Sequence, residues 1–423
     1  MTIEKSTFWL DCDCSAKDTD VGLLSIDQAF ASIFENTKTI ERTEWVSLDH
    51  AFGRVLAAPI RARARAPQFD NSAMDGYAIF TKDLCGPAPW IIPVSGCQAA
   101  GDTGIEALPE KTAVQVFTGA MLPKGANAVV MQEKVTVNDR NIIIGKRPNV
   151  GDNIRRAGED MKAGRIVLPV GRRLAAKDIA VAAAAGCAEL LVIEKIRVVI
   201  LSTGNELCGS GRVLERGKIW DVNSPMLRAA LHDPKIEITK ISHSYDRTSQ
   251  LASELSHFQK TADLIITTGG ISVSEADLVI PALHAIEGQV EFSGIALKPG
   301  KPLSFGKLDS CQWIGLPGNP VSAFATWIIF GQYIIDQLSG CFDNRNNTQY
   351  AVLKDELIHR VGRCELRLAS FSGFDQNGRQ VVDFLPQMRS AAVSHLAQAD
   401  GFILIPSHIE HLPKSGLVEF IPF

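Results

Sequence analysis

The middle of the chain, from residue 197 to residue 340, alternates between two kinds of hydrophobic pattern. Nearly continuous apolar runs at Arg197–Ser202, Asp263–Thr268 and Gln312–Leu316 are typical of strands that are covered on both faces. Between two of these runs, residues 247–260 place apolar side chains at the i, i+4, i+7 spacing of an amphipathic helix. Regular alternation of strands and helices predicts a doubly wound, mostly parallel sheet.

The segments on either side of this region have different patterns. Residues 22–60 carry an apolar helical stripe that includes Ile26 and Phe30, and Lys177–Ala185 is an Ala-rich helical stretch. The chain between them is rich in Val, Thr, Gly and Pro, which is typical of short strands and turns. We therefore predict a multidomain α/β fold with an inserted β-rich domain and a small C-terminal β domain. The predicted boundaries are 22–60 and 160–192 for a helical linking domain, 61–159 for the inserted β-rich domain, 193–342 for the α/β domain and 343–423 for a C-terminal β-barrel-like domain.

Composition narrows the class of protein. Hydrophobic residues make up 46% of the 423 residues, which is enough for several packed cores, and the net charge of −4 excludes the broadly basic surface of a nonspecific nucleic-acid binder. The apolar stretches fall short of the ~20 residues that span a bilayer, and the first twenty residues lack the apolar core of a secretory signal. We therefore expect a soluble, cytoplasmic protein without nucleic-acid or membrane partners. The nine cysteines and nine histidines show no spacing typical of a metal site.

Four glycine-containing turns follow predicted strands of the α/β region, namely Ser202–Glu206, Thr267–Ser272, Leu297–Pro302 and Leu316–Ser322. Each turn combines glycine with hydroxyl, amide or lysine side chains. Glycine lets backbone N–H groups approach an anion closely, and ligands of open α/β sheets bind beyond the carboxyl ends of the strands. Any one of these segments alone is as readily an ordinary turn, but together they predict a rim that binds a phosphorylated ligand.

Acidic residues accompany these turns, and neither a P-loop motif nor a G-x-G-x-x-G motif after a strand is present. Carboxylates around a phosphate repel it unless a divalent cation lies between them, and Mg²⁺ binds one or two carboxylates together with phosphate oxygens. We therefore predict a Mg²⁺-assisted site in which Lys298, Lys301 and Arg155 hold anionic groups. For each acid alone, a solvated surface position is the alternative. The acids in or beside loops are Asp75, Asp160, Glu206, Asp221, Asp246 and Asp277.

Several long and chemically unusual segments resemble the MoeA-type molybdopterin molybdenumtransferases, and the related C-terminal domain of gephyrin. Together they cover most of residues 22–340, whereas the C-terminal unit is only weakly similar. The segments include PQFDNSAMDGYAI (67–79), NIRRAGEDMKAG (153–164), LSTGNEL (201–207), DVNSPML (221–227), TTGGISVSEADL (267–278), LKPGKPLSFG (297–306) and GLPGNPVSA (315–323).

This resemblance implies an enzyme of molybdenum cofactor biosynthesis that inserts molybdate into adenylylated molybdopterin, with Mg²⁺-assisted hydrolysis and release of AMP. It also implies a homodimer in which the α/β cleft faces the inserted β unit of the partner, with a molybdopterin adenylyltransferase and molybdoenzymes as further candidate partners. The implied catalytic residues are Asp75, Asp160, Glu206 and Asp277, of which Glu206 and Asp277 also bind the metal. The implied substrate-binding residues are Thr118, Arg155, Asp221, Asn223, Ser224, Asp246, Gly269, Gly270, Ser272, Lys298, Lys301, Pro317, Gly318, Asn319, Pro320 and Ser322.

The chain departs from the family pattern at several positions, and the resemblance associates the two that carry positive charge in the family, at 294 and 368, with the oxyanion part of the site. Gly294 stands where members often carry lysine, Ser274 replaces a glycine, and Leu368 lies where an arginine is expected, beside Arg367. The usual Q-G-S run reads Gln-Met-Arg-Ser at 387–390, and Arg367 and Arg389 are the candidates to substitute for the missing charges. Three alternatives to the transferase therefore stay open: a diverged paralogue that binds the molybdopterin nucleotide without efficient metal insertion, a gephyrin-like scaffold, and a molybdopterin adenylyltransferase.

Overall fold

Three six-stranded sheets organise the part of the chain that the structure, a computed structural model, describes: residues 22–270, 278–341, 349–386 and 391–423. One sheet lies in the inserted segment, one in the α/β region and one mainly in the C-terminal region. The predicted fold class is therefore confirmed. Within the described ranges, no helix is long and apolar enough to cross a membrane.

The inserted segment folds as a sheet of strand order β7-β4-β6-β5-β9-β8, whose core includes Tyr77, Ile79 and Ile142. The elements of residues 22–193 are α1 (Ile26–Asn36), β1 (Thr43–Ser47), β2 (Ile60–Arg61), β3 (Asn71–Ser72), β4 (Gly76–Ile79), β5 (Trp90–Gln98), β6 (Ala113–Val116), β7 (Ala128–Met131), β8 (Val135–Asn138), β9 (Asn141–Ile144), β10 (Ile154–Arg155), β11 (Ile166–Leu168), α2 (Ala176–Ala184) and β12 (Glu189–Ile193), with short 3₁₀ turns at Leu48–His50, Thr81–Asp83 and Gln132–Lys134.

The segments that flank the insertion pair through strands as well as packing through helices. β1 runs antiparallel to β12, and β2 runs antiparallel to β11. Helix α1, which begins at a capping box of Ser25 and Gln28, packs on the α/β region, where Phe30 lies 4.9 Å from the ring of Phe330. The linking unit therefore contains paired strands in addition to its helices, and the apolar stripe of α1 did not indicate which region covers that helix. The boundaries of the units stay a prediction.

The α/β sheet has strand order β16-β13-β17-β21-β20-β18. The first four strands run parallel, β20 runs antiparallel to β21, and β18 in turn runs antiparallel to β20. Apolar side chains from both faces of the sheet enter two separate cores, as the continuous apolar runs predict. Its elements are β13 (Ile196–Thr203), β14 (Leu207–Cys208), β15 (Ile219–Trp220), α3 (Asn223–Ala230), β16 (Ile236–Ser244), α4 (Thr248–Phe258), β17 (Leu264–Thr268), α5 (Val279–His284), β18 (Gln289–Ser293), β19 (Leu297–Lys298), β20 (Ser304–Leu308), β21 (Cys311–Leu316), α6 (Pro320–Thr326), a π-helical turn (Trp327–Gly331) and α7 (Gln332–Ser339).

The C-terminal sheet closes on itself, because β24 pairs with β25 on one side and with β26 on the other. Strand β19 of the α/β region also pairs with β24, so backbone hydrogen bonds join the two regions. The elements are β22 (Gln349–Leu353), β23 (Leu357–Ile358), β24 (Cys364–Phe374), β25 (Gln380–Phe384), a 3₁₀ helix (Val393–Gln398), β26 (Gly401–Ile405), β27 (His411–Leu412) and β28 (Leu417–Pro422).

Candidate active site

The parallel strands β13, β17 and β21 end at one edge of the α/β sheet, and a cleft of about 850 Å³ opens beyond their carboxyl ends. Three of the four glycine turns from the sequence line this cleft, through Thr203–Glu206, Thr268–Gly270 and Pro317–Pro320. The fourth turn contributes Pro302 to the lining. The predicted rim is therefore assembled from turns that are spread over more than 100 residues of the chain.

The Gly269-Gly270 pair has a conformation and a close contact that require glycine. Their φ angles are +88° and +65°, in the left-handed region. A Cβ atom on Gly269 would lie 2.6 Å from the carbonyl oxygen of Thr203, and one on Gly270 would lie 2.8 Å from the Thr203 hydroxyl. The turn after β17 therefore approaches the end of β13 more closely than any other residue type permits.

Asn223, at the first turn of α3, connects two of these turns beneath the cleft. Its side-chain amide Nδ2 donates to the Thr268 hydroxyl at 2.6 Å and to the carbonyl oxygen of Gly318 at 2.9 Å. Asp221 caps the same helix, since its two carboxylate oxygens accept from the Ser224 N–H at 3.0 Å and the Ser224 hydroxyl at 2.5 Å. Asp221 and Ser224 thus stabilise the helix start, although Asp221 also lines the cleft.

Glu206 and Asp246 are the exposed acids of the cleft, and they have different surroundings. Asp246 and Asn205 bond reciprocally, because the Asn205 N–H donates to Asp246 Oδ2 at 3.0 Å and the Asp246 N–H donates to Asn205 Oδ1 at 3.2 Å. Lys218 Nζ donates to the Asn205 carbonyl oxygen at 2.6 Å. These bonds fix the turn that carries Glu206, whose carboxylate has no hydrogen-bond or ion-pair partner among the described residues. Asp277 and Ser272 lie outside the described residues.

Four of the predicted site residues belong to the inserted region and lie away from the cleft lining. The Asp75 carboxylate accepts from the Thr118 N–H at 2.7 Å and from the Thr118 hydroxyl at 3.0 Å. Arg155, in β10, is paired with Asn71 of β3, and the exposed Asp160 follows in the next loop. The structure therefore brings Asp75 and Thr118 together but does not bring them to Glu206 within one chain.

A neighbouring ion pair holds the same loops of the inserted region. Asp70 accepts from Arg156 at 2.6 Å and from the Ala157 N–H at 2.8 Å. Burial by itself raises the pKa of Asp70, but these two donors outweigh it and lower the pKa below its usual value. Asp70 therefore stays charged down to lower pH than an ordinary aspartate.

The remaining predicted rim residues lie outside the lining of the cleft. Lys298 directs its ammonium group to Glu365 of β24, at 3.4 Å, and about half of its side chain is exposed. The backbone carbonyl oxygen of Lys301 accepts a hydrogen bond from the Ile295 N–H. Ser322 is buried in α6. The Lys298 end of the LKPGKP segment therefore faces the C-terminal region, and Pro302 at its other end lines the cleft.

The departures of the C-terminal region from the family pattern have a clear structural consequence. Leu368 is 1% exposed and packs in the main core, whereas Arg367, one residue earlier in β24, points to the opposite face of the sheet. There Arg367 is buried, donates to Glu365 at 3.2 Å and to the Ile358 carbonyl oxygen at 2.8 Å. Arg367 is therefore engaged on the face of the sheet opposite to Leu368, and its substitution for the expected arginine stays a prediction. Residues 387–390, including Arg389, and Ser274 lie outside the described residues.

The local backbone conformation explains why this chain has glycine at position 294. Its φ of +102° is unfavourable for other residues, and a Cβ atom there would lie 2.7 Å from Leu23 Cδ2. A lysine in this backbone conformation would be strained and would require the Leu23 side chain to shift.

Sequence reasoning missed the apolar part of the cleft. Trp220 and Ile219 of β15 line it, together with Ala391 and Val393 of the C-terminal region. Trp220 directly precedes Asp221, so an aromatic residue beside a loop acid was the available signal.

Comparisons with known proteins agree with this architecture along nearly the whole chain. Residues 24–186 match the family described as MoeA N-terminal region (domain I and II), residues 199–337 match a probable molybdopterin binding domain, and residues 350–423 match the MoeA C-terminal region (domain IV).

Individual relatives give the same result. The chain is 35% identical to a molybdopterin molybdenumtransferase of Haemophilus influenzae over 403 residues, which are 95% of this chain and 99% of the relative. It is 34% identical to molybdopterin molybdenumtransferase 2 of Mycobacterium tuberculosis, over 86% of this chain and 91% of the relative. The solved structure of the molybdopterin biosynthesis MoeA protein from Pyrococcus horikoshii OT3 superposes with a TM-score of 0.80 at 29% identity, covering 95% of this chain and 100% of that one. The chain therefore belongs to the MoeA family of molybdopterin molybdenumtransferases, which act in molybdenum cofactor biosynthesis.

Proposed function

We propose that this protein inserts molybdate into adenylylated molybdopterin and releases AMP as the phosphoanhydride is cleaved. The observation that carries the proposal is the meeting of three glycine turns around one cleft whose exposed acids are Glu206 and Asp246. The tight Gly269-Gly270 turn, held against Thr203, offers close backbone approach to a phosphate. Family membership supplies the substrate class.

The charges of the cleft support a cation requirement. Among its described lining residues there are three carboxylates, Glu206, Asp221 and Asp246, and no lysine, arginine or histidine. A phosphoanhydride entering such a cleft meets only negative side-chain charge, which is unfavourable by Coulomb's law. The chemistry of the lining therefore favours a phosphate ligand that arrives with a divalent cation.

The residues present fit Mg²⁺, which binds few protein carboxylates when phosphate oxygens and water complete its shell. Glu206 would hold it, because its carboxylate is exposed to the cleft and unpaired among the described residues; Asp277 is the second proposed ligand. No cluster of three or more metal-binding side chains is present in the described part of the chain, which does not include Asp277. When bound, Mg²⁺ supplies charge neutralisation and polarises the phosphoanhydride.

The protein's own residues then position the substrate. Asn223 keeps the turns at Thr268 and Gly318 at fixed separation, and the Asn205–Asp246 pair holds Glu206 at the mouth of the cleft. Such positioning is the main requirement of phosphoryl chemistry, which needs little covalent participation by the protein.

A second copy of the chain completes the proposed site. Asp75, Thr118, Arg155 and Asp160 do not line the cleft of their own chain, so their participation requires the inserted region of a partner. A complementation experiment tests this arrangement. Asp75→Asn and Glu206→Gln are each expected to be inactive, and co-expressed chains are expected to regain up to about a quarter of wild-type activity, because one site of a mixed dimer is intact. Activity that stays absent in verified mixed dimers would contradict the shared site.

The function itself is tested by incubating the purified protein with adenylylated molybdopterin, Mg²⁺ and molybdate, and following AMP by chromatography. Molybdate-dependent AMP release is the expected result. One observation favours a second candidate, the diverged paralogue, because Leu368 is buried and Arg367 is paired on the other face. Tight binding of the nucleotide without molybdate-dependent release would establish that alternative.

A further inference from the structure

Trp220 is a large aromatic side chain that stays exposed inside a cleft. Its exposed fraction is 47%, and that of the neighbouring Ile219 is 54%. Both line the cleft described above, whereas Trp313 and Trp327 are fully buried in the cores. Large apolar side chains that remain accessible in a concave site are typical of ligand contacts.

The indole of Trp220 is held in one place rather than free to fold away. Its Nε1–H donates to the Arg212 carbonyl oxygen at 3.0 Å, so the edge of the ring is fixed. Its backbone lies in β15, which pairs in parallel with β14, where Cys208 is opposite Trp220. The Asp221 N–H also donates to the Cys208 carbonyl oxygen at 2.8 Å. A fixed ring loses little entropy when a ligand packs against it.

The cleft around Trp220 has two chemically different parts. The glycine turns at Gly269-Gly270 and at Gly318 form the polar part, and Trp220, Leu278 and Val393 contribute apolar surface. Its volume of about 850 Å³ is in the range that holds a ligand of several linked groups. A ligand that combines a phosphate with a planar ring matches both parts.

We propose that Trp220 is a stacking surface for a planar nitrogen heterocycle of the ligand whose phosphate binds at the glycine turns. This inference rests on the proposed function, and it adds a subsite that the acids and glycine turns do not define. The adenine and the pterin of the substrate are both planar nitrogen heterocycles, so either can supply the ring. Stacking of a base on an aromatic side chain contributes enough for alanine substitution to weaken affinity by about 5- to 150-fold.

The test measures affinity by calorimetry in the presence of Mg²⁺ for three probes: AMP, 6-carboxypterin and ribose 5-phosphate. Trp220→Ala is expected to weaken binding of AMP or of the pterin by at least about fivefold, and to leave ribose 5-phosphate unchanged because it has no ring. Trp220→Phe keeps an aromatic face and is expected to stay within about threefold of wild type. Trp45→Ala, at another exposed tryptophan that does not line the cleft, is the matched control.

The outcomes separate this inference from the proposed function. Loss of AMP affinity assigns the ring to adenine, and loss of pterin affinity assigns it to the pterin. Unchanged affinity for both ring-containing probes in Trp220→Ala would overturn the inference while the proposed function stands. An equal loss of affinity for ribose 5-phosphate in Trp220→Ala, or an equal loss of affinity for the ring-containing probes in Trp220→Phe, would also overturn the inference. The substitution would then act by changing the conformation of the loop and not by removing a stacking surface. If neither ring-containing probe binds the wild-type protein while molybdate-dependent AMP release is observed, the inference is overturned and the proposed function stands; absence of that release is what contradicts the proposed function.

Discussion

Two regions of this molecule concentrate charged side chains, and they use them in opposite ways. In the cleft, Glu206 and Asp246 are exposed, and Glu206 has no partner among the described residues. In the C-terminal ion cluster, defined here as Lys298, His359, Glu365 and Arg367, the Glu365 carboxylate is 4% exposed and contacts all three basic groups at 3.2–3.6 Å.

The difference shows that the partners of a charge, rather than its residue type, determine its role. A buried carboxylate is tolerated only when hydrogen bonds and opposite charges satisfy it, so the C-terminal ion cluster fixes a fold. An exposed carboxylate without a partner contributes little to stability and remains available to a ligand. Substitutions in the two regions should therefore affect different measurements.

The largest effect is expected in the C-terminal ion cluster. Glu365→Ala leaves the buried guanidinium of Arg367 without its carboxylate and should lower the free energy of unfolding by about 3–5 kcal/mol. Urea denaturation measures the change. Glu356→Ala is the control, because Glu356 lies in the same region but its side chain is 71% exposed. Equal stability of the two variants would contradict the contrast between the regions.

The next effect concerns the cleft. Glu206→Gln removes the unpaired carboxylate and should decrease AMP release about 100-fold, which corresponds to ~2.7 kcal/mol of transition-state stabilisation, with the unfolding midpoint unchanged. Glu215→Gln, in the loop between β14 and β15 and outside the cleft lining, should behave as wild type. Glu206→Gln with full turnover would remove this residue from the mechanism.

Lys298 belongs to the C-terminal ion cluster, yet about half of its side chain is exposed, so it tests where the two roles meet. Lys298→Ala should weaken binding of the pterin nucleotide by about 1.5–3 kcal/mol through loss of a charge-assisted contact. The ion pair between Glu365 and Arg367 remains in this variant. Calorimetry measures the affinity, and Lys260→Ala on an exposed helix end is the control. A lower free energy of unfolding with unchanged affinity for the pterin nucleotide would show that Lys298 only stabilises the C-terminal ion cluster and does not bind the ligand.

The smallest effect sharpens the comparison with a carboxylate that is partly buried and has no cationic partner among the described residues. Glu419 of β28 lies beside a cavity of about 60 Å³ with Phe30, Ile328 and Tyr333 in its lining, and burial raises its pKa to about 7. Because the folded state favours the neutral acid, stability is greatest below the unfolded pKa near 4.5 and falls as pH rises through 7. Glu419→Gln should therefore stabilise the protein by about 1–2 kcal/mol at pH 8 and have little effect at pH 5.

Urea unfolding at the two pH values checks this prediction, with Glu410→Gln, an exposed glutamate of the same region, as the control. Equal effects of Glu419→Gln at pH 5 and pH 8 would show that the side chain does not titrate on unfolding in this interval.

Sequence patterns predicted much of the fold because they act locally. The apolar runs placed strands at Ile196–Thr203 and Leu264–Thr268 with ends shifted by only one residue, since a strand buried on both faces needs continuous hydrophobic residues. The closed C-terminal sheet was harder, because its longest strand, Cys364–Phe374, mixes charged, small and apolar residues without a clean alternation.

The amino-acid sequence by itself determined the strand and helix order of the α/β region, the glycine turns and the acids beside them, because periodicity and turn chemistry are encoded within a few residues. Only the tertiary structure decided which turns share a cleft, that Arg367 faces Glu365 while Leu368 enters the core, and that Asp75 lies away from Glu206. These relations depend on strand register and on contacts between segments far apart in the chain, where a shift of one residue moves a side chain to the other face of the sheet.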